Sequence, residues 1–280
     1  MKQFDSFIPS QRNTQIPVSI TEAEGKGGLL ILVHGFKAER NENGRFSDVA
    51  KFASEHDLYS IRMDLPGNGE SKEPFENYSL ESCLQDMEIC YRYMKDHYEI
   101  DEDLLFLLGY SMGGRLISLF WERHPEFGHL IFWAGCNRNY TAEDRFLEQD
   151  LGKLKEEGDR QGICTFYDIF TGETNPMSSQ FVHDLLEKDA LNCLKDFPGK
   201  ALILQGDRDQ TIEVENGQWI YDSLSSAQER RLVMIRGADH GFGLWDGRTE
   251  DNEELLKITN GFLEKCIRFH QCSLLKTEKQ

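Results

Sequence analysis

The sequence LLFLLGYSMGG, residues 104–114, decides how this chain folds. Its five leading apolar residues predict a buried strand, and residues 112–123 have a helix-like pattern. A Gly-x-Ser-x-Gly pattern between a strand and a helix is typical of a nucleophile elbow, a tight turn that presents the serine at the mouth of a sheet. The next backbone N–H and the helix N-terminus both favour negative charge at that spot. We therefore take Ser111 as a candidate nucleophile rather than as an ordinary serine in a glycine-rich turn.

A serine nucleophile needs partners, and two later loops can supply them. A serine hydroxyl reacts poorly at neutral pH unless a base takes its proton, and the base needs an acid to orient it. With an elbow of this kind, the acid and then the histidine follow the serine along the chain. Apolar runs at residues 201–205 and 231–235 predict two more buried strands, which end in the loops GDRD (206–209) and GADHG (237–241). Each loop places titratable residues just past the C-terminal end of a strand, where open α/β sheets gather their sites.

His240 is the candidate base, because it stands in a Gly-rich loop after the last predicted strand. The acid stays open between Asp207 and Asp209. Asp207 directly follows a glycine and suits a turn-closing role, whereas Asp209 lies further into the loop and can reach across to the histidine. We favour Asp209, with Glu213 a distant third. Asp239 is adjacent to His240, so its side chain points elsewhere, and we interpret it as a loop-stabilising residue.

Two backbone N–H groups are candidates for an oxyanion hole. One belongs to Met112, the residue after the nucleophile. The other belongs to Phe36, because the apolar run at residues 29–33 predicts an earlier strand and His34-Gly35-Phe36 comes directly after it. Such donors work because they are aimed in advance at the charge that develops in the transition state. We interpret His34 as a brace for this loop that takes no proton in the reaction.

Five motifs resemble, in this order, those of the α/β-hydrolase superfamily and together span most of the chain. They are HGF (34–36), DLPGNGES (64–71), GYSMGG (109–114), GDRD (206–209) and GADH (237–240). The resemblance implies an α/β fold with a mostly parallel central sheet, helices on both faces and a helical cap inserted in the chain. It makes Ser111 the nucleophile, Asp209 the acid and His240 the base. The oxyanion donors are then the N–H groups of Phe36 and Met112.

Within the superfamily, the chain is most similar to small bacterial-type carboxylesterases, in the branch that holds feruloyl and cinnamoyl esterases and monoacylglycerol-lipase-like enzymes. This resemblance implies a serine hydrolase that cleaves a carboxylic ester of a small or medium-sized substrate, with no cofactor and no metal. The acyl group would be aromatic or short. Amide, thioester and carbon–carbon substrates use the same groups and stay open as alternatives. A non-enzymatic ligand-binding protein on the same fold is the other class, but such proteins tend to lack a member of the triad.

The composition agrees with one soluble enzyme domain, and the resemblance implies that its partner is a small-molecule ester substrate. The 280 residues include 39% hydrophobic residues, enough for a substantial core. A formal net charge of -18 argues against binding to nucleic acid or to anionic membrane surfaces. We expect no membrane span and no secretory signal. Seven cysteines without metal-site spacing predict reduced thiols in a cytoplasmic protein.

Alternating strand and helix patterns predict one core built from residues 1–135 and 199–280. One or two antiparallel edge strands are expected within residues 3–20. The last sheet-covering helix is expected at residues 252–269, and a frayed tail from residue 276. The core should therefore be interrupted once by an insertion.

That insertion, residues 136–198, is rich in charge but also carries aromatic residues such as Phe146, Phe166 and Phe170. The mixture predicts short amphipathic helices packed over another surface. The resemblance to α/β-hydrolases implies a cap at this place in the chain, so we expect the insertion to form a cap, or lid, over Ser111. A set of surface helices away from the pocket is the alternative.

Three aromatic residues, Phe36, Phe242 and Trp245, are candidates for the wall of the substrate pocket. An aromatic wall would suit a cinnamoyl group, although aromatic side chains near a loop also serve in packing. Lys37 and Arg40 could face an anionic substrate group. We expect them instead to be an exposed, solvated pair.

Overall fold

Strands and helices alternate along the first half of the chain in the computed structural model, which describes residues 2–169 and 171–277. Two antiparallel strands come first, as predicted for residues 3–20. The elements are β1 (Lys2–Pro9), β2 (Gln15–Glu22), β3 (Gly27–Val33), α1 (Arg45–Ser54), β4 (Leu58–Met63), a 3₁₀ helix (Phe75–Asn77), α2 (Leu80–His97), β5 (Ile100–Tyr110), α3 (Met112–Arg123) and β6 (His129–Trp133).

Residues 134–199, called the linking segment below, connect β6 to the second part of the sheet. Their elements are β7 (Arg145–Phe146), β8 (Gln149–Asp150), α4 (Leu151–Gln161), β9 (Ile163–Tyr167), β10 (Thr174–Ser178), α5 (Ser179–Glu187) and a 3₁₀ helix (Asn192–Leu194). β7 pairs with β8, and β9 with β10, each in antiparallel fashion. The short helices that the sequence predicted here are present as α4 and α5, whereas the two hairpins were not predicted. Phe170, one of the aromatic residues behind it, lies outside the described residues.

The last part of the chain completes the sheet and covers it. Its elements are β11 (Lys200–Gly206), α6 (Glu215–Ser223), β12 (Glu229–Ile235) and α7 (Thr249–Thr277). α7 is longer at both ends than the helix predicted at 252–269. It includes the start of the predicted frayed tail, and the rest of that tail, residues 278–280, lies outside the described part of the chain.

The central sheet has eight strands in the order β1-β2-β4-β3-β5-β6-β11-β12. β2 pairs antiparallel with β1 and β4, whereas the remaining neighbours in this sheet, from β4 through β3, β5, β6 and β11 to β12, pair in parallel. The mostly parallel α/β sheet predicted from the sequence is therefore confirmed. Because parallel strands end at one edge, the loops after β3, β5, β11 and β12 meet there.

Helices cover both faces of this sheet. On one face, Phe46 of α1 and Leu255 of α7 belong to a buried cluster with Leu30 of β3. On the other face, Met87 of α2 and Phe120 of α3 belong to a second cluster. Every residue of β3 is buried, as expected for a parallel strand between two helical layers. The two layers leave the C-terminal edge of the sheet for the site.

The cysteines are structural side chains rather than cross-links. All seven are free, and six of them are buried. Burial raises the pKa of the Cys83 and Cys90 thiols well above the ordinary value, so both stay protonated at neutral pH. Among the described residues, no helix is both long enough and apolar enough to cross a bilayer.

Candidate active site

Ser111 stands in the turn between β5 and α3, in a backbone conformation that residues with side chains rarely adopt. Its φ is 53° and its ψ is -117°. The Ser111 N–H donates to the carbonyl of Trp133 in β6 at 2.8 Å. The Ser111 carbonyl accepts from the N–H groups of Gly114 and Cys136, at 2.9 Å each. Such a conformation persists where surrounding contacts over-determine it, and here the contacts with β6 and the residues after it hold the elbow.

The two glycines of the Gly-x-Ser-x-Gly pattern are required by close backbone approaches. A Cβ atom at Gly113 would collide with the carbonyl oxygen of Val33 at the end of β3. A Cβ atom at Gly109 would collide with the carbonyl of Gly113. Any larger residue at either position would push α3 away from the sheet, so the elbow depends on both glycines.

The structure brings Ser111, His240 and Asp209 into one hydrogen-bonded line. His240 Nε2 lies 3.0 Å from Ser111 Oγ, and His240 Nδ1 lies 2.7 Å from Asp209 Oδ2. His240 and Asp209 are buried. With its proton on Nδ1, the ring donates to Asp209 and leaves Nε2 to accept the Ser111 hydroxyl. A serine aligned in this way can lose its proton as it attacks an electrophilic carbon.

Asp209 is fixed by the loop that carries it. Its Oδ1 accepts the backbone N–H groups of Thr211 and Ile212, at 2.9 Å each. Its Oδ2 accepts from the Gln205 side-chain amide at 2.9 Å, in addition to His240. The carboxylate therefore has one orientation, and it transmits that orientation to the imidazole ring.

The other acidic candidates have local partners. Asp207 accepts the N–H of Gly237 at 2.6 Å, so it ties the loop after β11 to the loop after β12. Asp239 accepts a backbone N–H four residues later in its own loop at 3.0 Å. Glu213 forms an ion pair with Arg138. Of the four acids considered, Asp209 is the one that contacts His240.

Phe36 and Met112 border the same cavity as the candidate nucleophile. In the described part of the chain, neither backbone N–H donates to a protein acceptor. Gly35 packs directly on Ser111, since a Cβ atom at Gly35 would lie 3.3 Å from the Ser111 Cβ. An N–H group without a protein acceptor beside a nucleophile is available to an oxyanion. Phe36 and Met112 thus border the cavity beside Ser111, and their role as oxyanion donors stays a prediction.

Comparisons with known proteins bear on the fold that presents this site. A family model described as serine aminopeptidase, S33, matches residues 25–146. Est1E from Butyrivibrio proteoclasticus, solved with ferulic acid bound, is similar with a TM-score of 0.77 and 17% identity, over 94% of this chain and 99% of that chain. The chain has the α/β-hydrolase fold. The resemblance to this superfamily predicted from the five motifs is confirmed.

Two further solved structures share the α/β-hydrolase fold. The hydrolase GrgF from Penicillium sp. sh18 is 16% identical, with a TM-score of 0.73 over 96% of this chain and 100% of that chain. The esterase EaEST from Exiguobacterium antarcticum is 19% identical, with a TM-score of 0.61 over 91% of this chain and 99% of that chain. A search of curated protein sequences finds no significant match. At these identities, structural likeness establishes the fold alone.

His34 braces the loop after β3 in this α/β-hydrolase fold. Its Nδ1 donates to the carbonyl of Gly35 at 2.7 Å, and its Nε2 accepts the N–H of Leu65 at 3.0 Å. Burial lowers the pKa of His34, so the ring is neutral. The Gly35 carbonyl and the Phe36 N–H belong to one planar trans peptide, so anchoring the carbonyl fixes the direction of the N–H.

A cavity of about 520 Å³ opens beside Ser111 and His240. Its wall combines side chains from the core with Phe146 and Leu147 from the linking segment. Trp245, a predicted pocket residue, borders it and has its ring centroid 5.7 Å from that of His240. Among residues 2–169 and 171–277, no group of three or more His, Cys, Asp or Glu side chains is arranged to hold a metal ion.

The structure places Phe242, the other predicted pocket residue, away from this cavity. Phe242 is fully buried in the core cluster that contains Phe46 of α1 and Leu255 of α7. Its backbone has a positive φ of 50°, which turns the chain after His240 back into the core. The prediction of a pocket role for Phe242 was therefore wrong, because a loop position next to His240 does not decide whether a side chain faces the cavity or the core.

Lys37 and Arg40 are not the exposed, solvated pair that the sequence predicted. The Arg40 guanidinium is buried and forms ion pairs with Asp64 and Glu70 of the DLPGNGES motif. Lys37 borders the cavity and pairs with Asp168 of the linking segment at 2.8 Å. Both cations therefore have acidic partners, and the loop after β3 is tied to the linking segment.

Glu42 is a residue of the site that sequence reasoning missed. It borders the cavity with only 2% of its surface exposed, and its carboxylate accepts the Gly35 N–H at 2.8 Å. Burial raises the pKa of Glu42 to about 7, against the opposing effects of Arg45 and of the Gly35 N–H. In sequence, Glu42 belongs to a run of charged and polar residues that is typical of a solvated loop, so no signal distinguished it.

Proposed function

We propose that this α/β-hydrolase chain is a serine hydrolase that cleaves carboxylic esters through a covalent acyl-enzyme. The observation that carries the proposal is the line of contacts from Ser111 through His240 to Asp209, at 3.0 Å and 2.7 Å. Each group has the neighbour that its role requires. An elbow serine meets a histidine, and the histidine meets a fixed carboxylate.

In the proposed first step, Ser111 Oγ attacks the ester carbonyl carbon while its proton passes to His240 Nε2. The carbonyl electrons move onto the oxygen, which becomes an oxyanion. When this intermediate collapses, the alkoxide leaves and takes the proton from Nε2. Water then attacks the acyl-enzyme with His240 again as base, and the carboxylic acid is released as Ser111 regains its proton. Asp209 stabilises the charged imidazolium in both halves of the reaction.

The oxyanion would be held by the N–H groups of Phe36 and Met112. Met112 is the first residue of α3, so the positive end of the helix dipole adds to its N–H. The Gly35–Phe36 peptide is held by the hydrogen bond from His34 Nδ1 to the Gly35 carbonyl oxygen, at 2.7 Å. Donors fixed before the reaction need no reorganisation when charge develops.

The substrate would be small or medium-sized, with an aromatic or short acyl group. The cavity of about 520 Å³ lies within the range of roughly 300–1,000 Å³ that is usual for small-molecule sites. Phe36, Phe146 and Trp245 supply aromatic wall. Est1E, which was solved with ferulic acid bound, supports an aromatic acyl group by analogy of fold.

We further propose that residues 136–198 act as a cap on a core of residues 1–135 and 199–280. Phe146 and Leu147 border the cavity from the linking segment. The ring of Phe36 packs against the rings of Phe146, Phe166 and Phe181, at centroid distances of 5.3, 5.2 and 5.3 Å. The segment thus contacts the residue that carries a proposed oxyanion donor.

The six buried free thiols agree with the proposed cytoplasmic location.

A peptidase or amidase on the same triad is the second candidate, because the matching family model is described as serine aminopeptidase, S33. A substrate panel separates the two. We expect p-nitrophenyl acetate, butyrate and octanoate, together with methyl ferulate, to be hydrolysed by the wild type and not by Ser111→Ala. Cleavage of an aminoacyl p-nitroanilide with higher kcat/KM than every ester would replace the esterase proposal by the peptidase. Absence of turnover and of fluorophosphonate labelling at Ser111 would contradict both.

A further inference from the structure

We infer that the buried Glu42–Arg45 pair positions the loop of the proposed oxyanion donor Phe36 relative to the loop of His240. The inference rests on the proposed serine-hydrolase function. Neither residue is placed among the reacting atoms, so both are positioning residues. The pair joins two loops that lie far apart in the chain and that both border the cavity.

Glu42 holds the oxyanion side of this connection. Its Oε1 accepts the Gly35 N–H at 2.8 Å, while the His34 ring binds the Gly35 carbonyl at 2.7 Å. Gly35 therefore has both of its backbone polar groups anchored, one on each side of its Cα atom. The next N–H in the chain is that of Phe36. A charged acceptor makes a shorter and stronger hydrogen bond than a neutral one, so the carboxylate is suited to fix this peptide.

Arg45 holds the histidine side. Its Nη2 lies 3.4 Å from Glu42 Oε2, and its Nη1 donates to the carbonyl of Gly241 at 3.2 Å. The guanidinium also lies 4.7 Å from the ring centroid of Tyr110. Tyr110 in turn donates its hydroxyl to the His240 carbonyl at 3.0 Å. Arg45 therefore contacts the residue after the proposed base and the residue before the proposed nucleophile.

Burying the Glu42–Arg45 ion pair costs desolvation free energy that a purely structural role does not explain. Both side chains have only 2% of their surface exposed. A buried ion pair can often be replaced by apolar side chains without loss of stability, because desolvation offsets the attraction. Glu42 and Asn43 also have positive φ angles of 46° and 55°, directly before Gly44 at 92°. Backbone strain and buried charge at one place, next to the cavity, favour a role in positioning.

The rate at which a fluorophosphonate labels Ser111 tests the inference without knowledge of the natural substrate. The phosphoryl oxygen of the probe must enter the same oxyanion hole as a substrate oxygen. Measurements at pH 8 keep Glu42 ionised. Loss of one oxyanion donor lowers kcat by roughly 10²–10³-fold, so we expect Glu42→Ala, which misaims one donor, to slow labelling by at least about tenfold.

The kinetic signature separates positioning from general damage. In Glu42→Ala, kcat for p-nitrophenyl butyrate should fall in parallel with labelling while KM changes by less than about twofold. Glu42→Gln keeps an acceptor for the Gly35 N–H but leaves Arg45 unpaired, so its rates should lie between those of the wild type and Glu42→Ala. If Glu42→Ala does not fold, Glu42→Gln alone tests the inference. We expect Glu42→Gln to slow the labelling of Ser111 by about threefold or more.

Glu73→Gln is the matched control. Glu73 is a buried glutamate paired with Arg12 at 2.8 Å and does not border the cavity. Its variant should lose stability but label at the wild-type rate. Wild-type labelling by a folded Glu42→Gln or Glu42→Ala variant would overturn the inference alone. A wild-type protein that neither labels nor hydrolyses esters would instead refute the proposed function on which the inference rests.

Discussion

Nε2 of His240 lies 3.0 Å from Oγ of Ser111, although the two residues are 129 positions apart in the chain. Ser111 follows β5 and His240 follows β12, and parallel strands deliver both loops to one edge of the sheet. Tyr110, the residue before the serine, donates to the His240 carbonyl at 3.0 Å and stacks on its ring. The strand that leads to the proposed nucleophile thus helps to hold the proposed base.

Replacing Ser111 with alanine should abolish ester hydrolysis and leave the fold intact. Loss of a triad nucleophile usually lowers kcat by roughly 10³-fold or more, because the base then has no hydroxyl to activate. Turnover of p-nitrophenyl butyrate and thermal unfolding are the measurements. Ser54→Ala is the control, since its hydroxyl donates only to the Lys51 carbonyl in α1. More than about a tenth of wild-type activity in Ser111→Ala would contradict a Ser111 nucleophile.

Asp209→Asn should impair turnover far more than Asp207→Asn. An amide at position 209 can no longer hold the His240 ring with its proton on Nδ1, and we expect kcat to fall by roughly 10³-fold or more. Asp207 accepts the Gly237 N–H at 2.6 Å and has no contact with the ring, so its variant should mainly lose stability. The two kcat values and two urea midpoints are compared. The reverse order of kcat would make Asp207 the functional acid.

The elbow and its partners could be predicted because their causes are local. Gly109 and Gly113 are demanded by backbone atoms only a few ångströms away, and that demand leaves a pattern in the sequence. The preference for Asp209 over Asp207 also rested on position in one short loop. Parallel strands were predicted from runs of buried residues, because a strand covered on both faces has no polar alternation.

Other features depend on contacts that no local pattern records. In β9, Cys164 and Phe166 are buried between exposed neighbours, which is the alternation of a strand. This alternation was not recognised in the sequence, because it covers only five residues of a charged segment. Arg40 and Glu42 look like surface residues, but Arg40 is buried against Asp64 of a later loop, and Glu42 is buried where its own loop folds back on Gly35. Phe242 was misplaced because its position in the loop after β12 does not reveal that its side chain packs into the core.

The stability of the protein should depend on pH through Glu42. Burial raises its pKa from 4.5 to about 7, with Glu39 adding to this rise while Arg45 and the Gly35 N–H oppose it. Between those pH values the folded protein keeps a proton that the unfolded chain has released. The free energy of unfolding due to Glu42 therefore falls as the pH rises through this window, by about 3 kcal/mol in total.

Glu42→Gln should remove this dependence, because glutamine does not titrate. Urea unfolding of the wild type and the variant at pH 4.5 and pH 8 provides the difference. The free energy of unfolding of the variant minus that of the wild type should be about 3 kcal/mol higher at pH 8 than at pH 4.5. Other raised carboxyl groups, such as Asp86, are common to both proteins and cancel. A constant difference would show that Glu42 titrates normally in the folded protein.

Trp245→Ala and Phe242→Ala should separate substrate binding from core packing. Phe242 is fully buried, so its truncation should lower the free energy of unfolding by about 3–5 kcal/mol. Trp245 is 54% exposed and borders the cavity, so its truncation should leave stability nearly unchanged. We expect KM for methyl ferulate to rise at least about fivefold in Trp245→Ala, with a smaller rise for the acetate ester. Equal rises for both esters would mean that Trp245 does not contact the acyl group.

Phe146→Ala should enlarge the acyl site and change the preference for chain length. Phe146 is buried, borders the cavity and has its ring centroid 5.3 Å from that of Phe36. Each methylene in an apolar pocket is worth about 1–3 kcal/mol, so the ratio of kcat/KM for octanoate over acetate should rise by about tenfold. The proposed reacting groups stand on the sheet and not on the linking segment. Labelling of Ser111 by a small fluorophosphonate should therefore stay within about threefold of the wild type.

The control for this last variant is Phe127→Ala, which removes an equally buried ring that does not border the cavity. Both truncations should lower the free energy of unfolding by about 3 kcal/mol or more, since each leaves a space in a packed cluster. A change in ester preference in Phe146→Ala alone then reports on pocket shape. The same change in both variants would trace it to loss of stability, and no change in either would place the acyl group away from the linking segment.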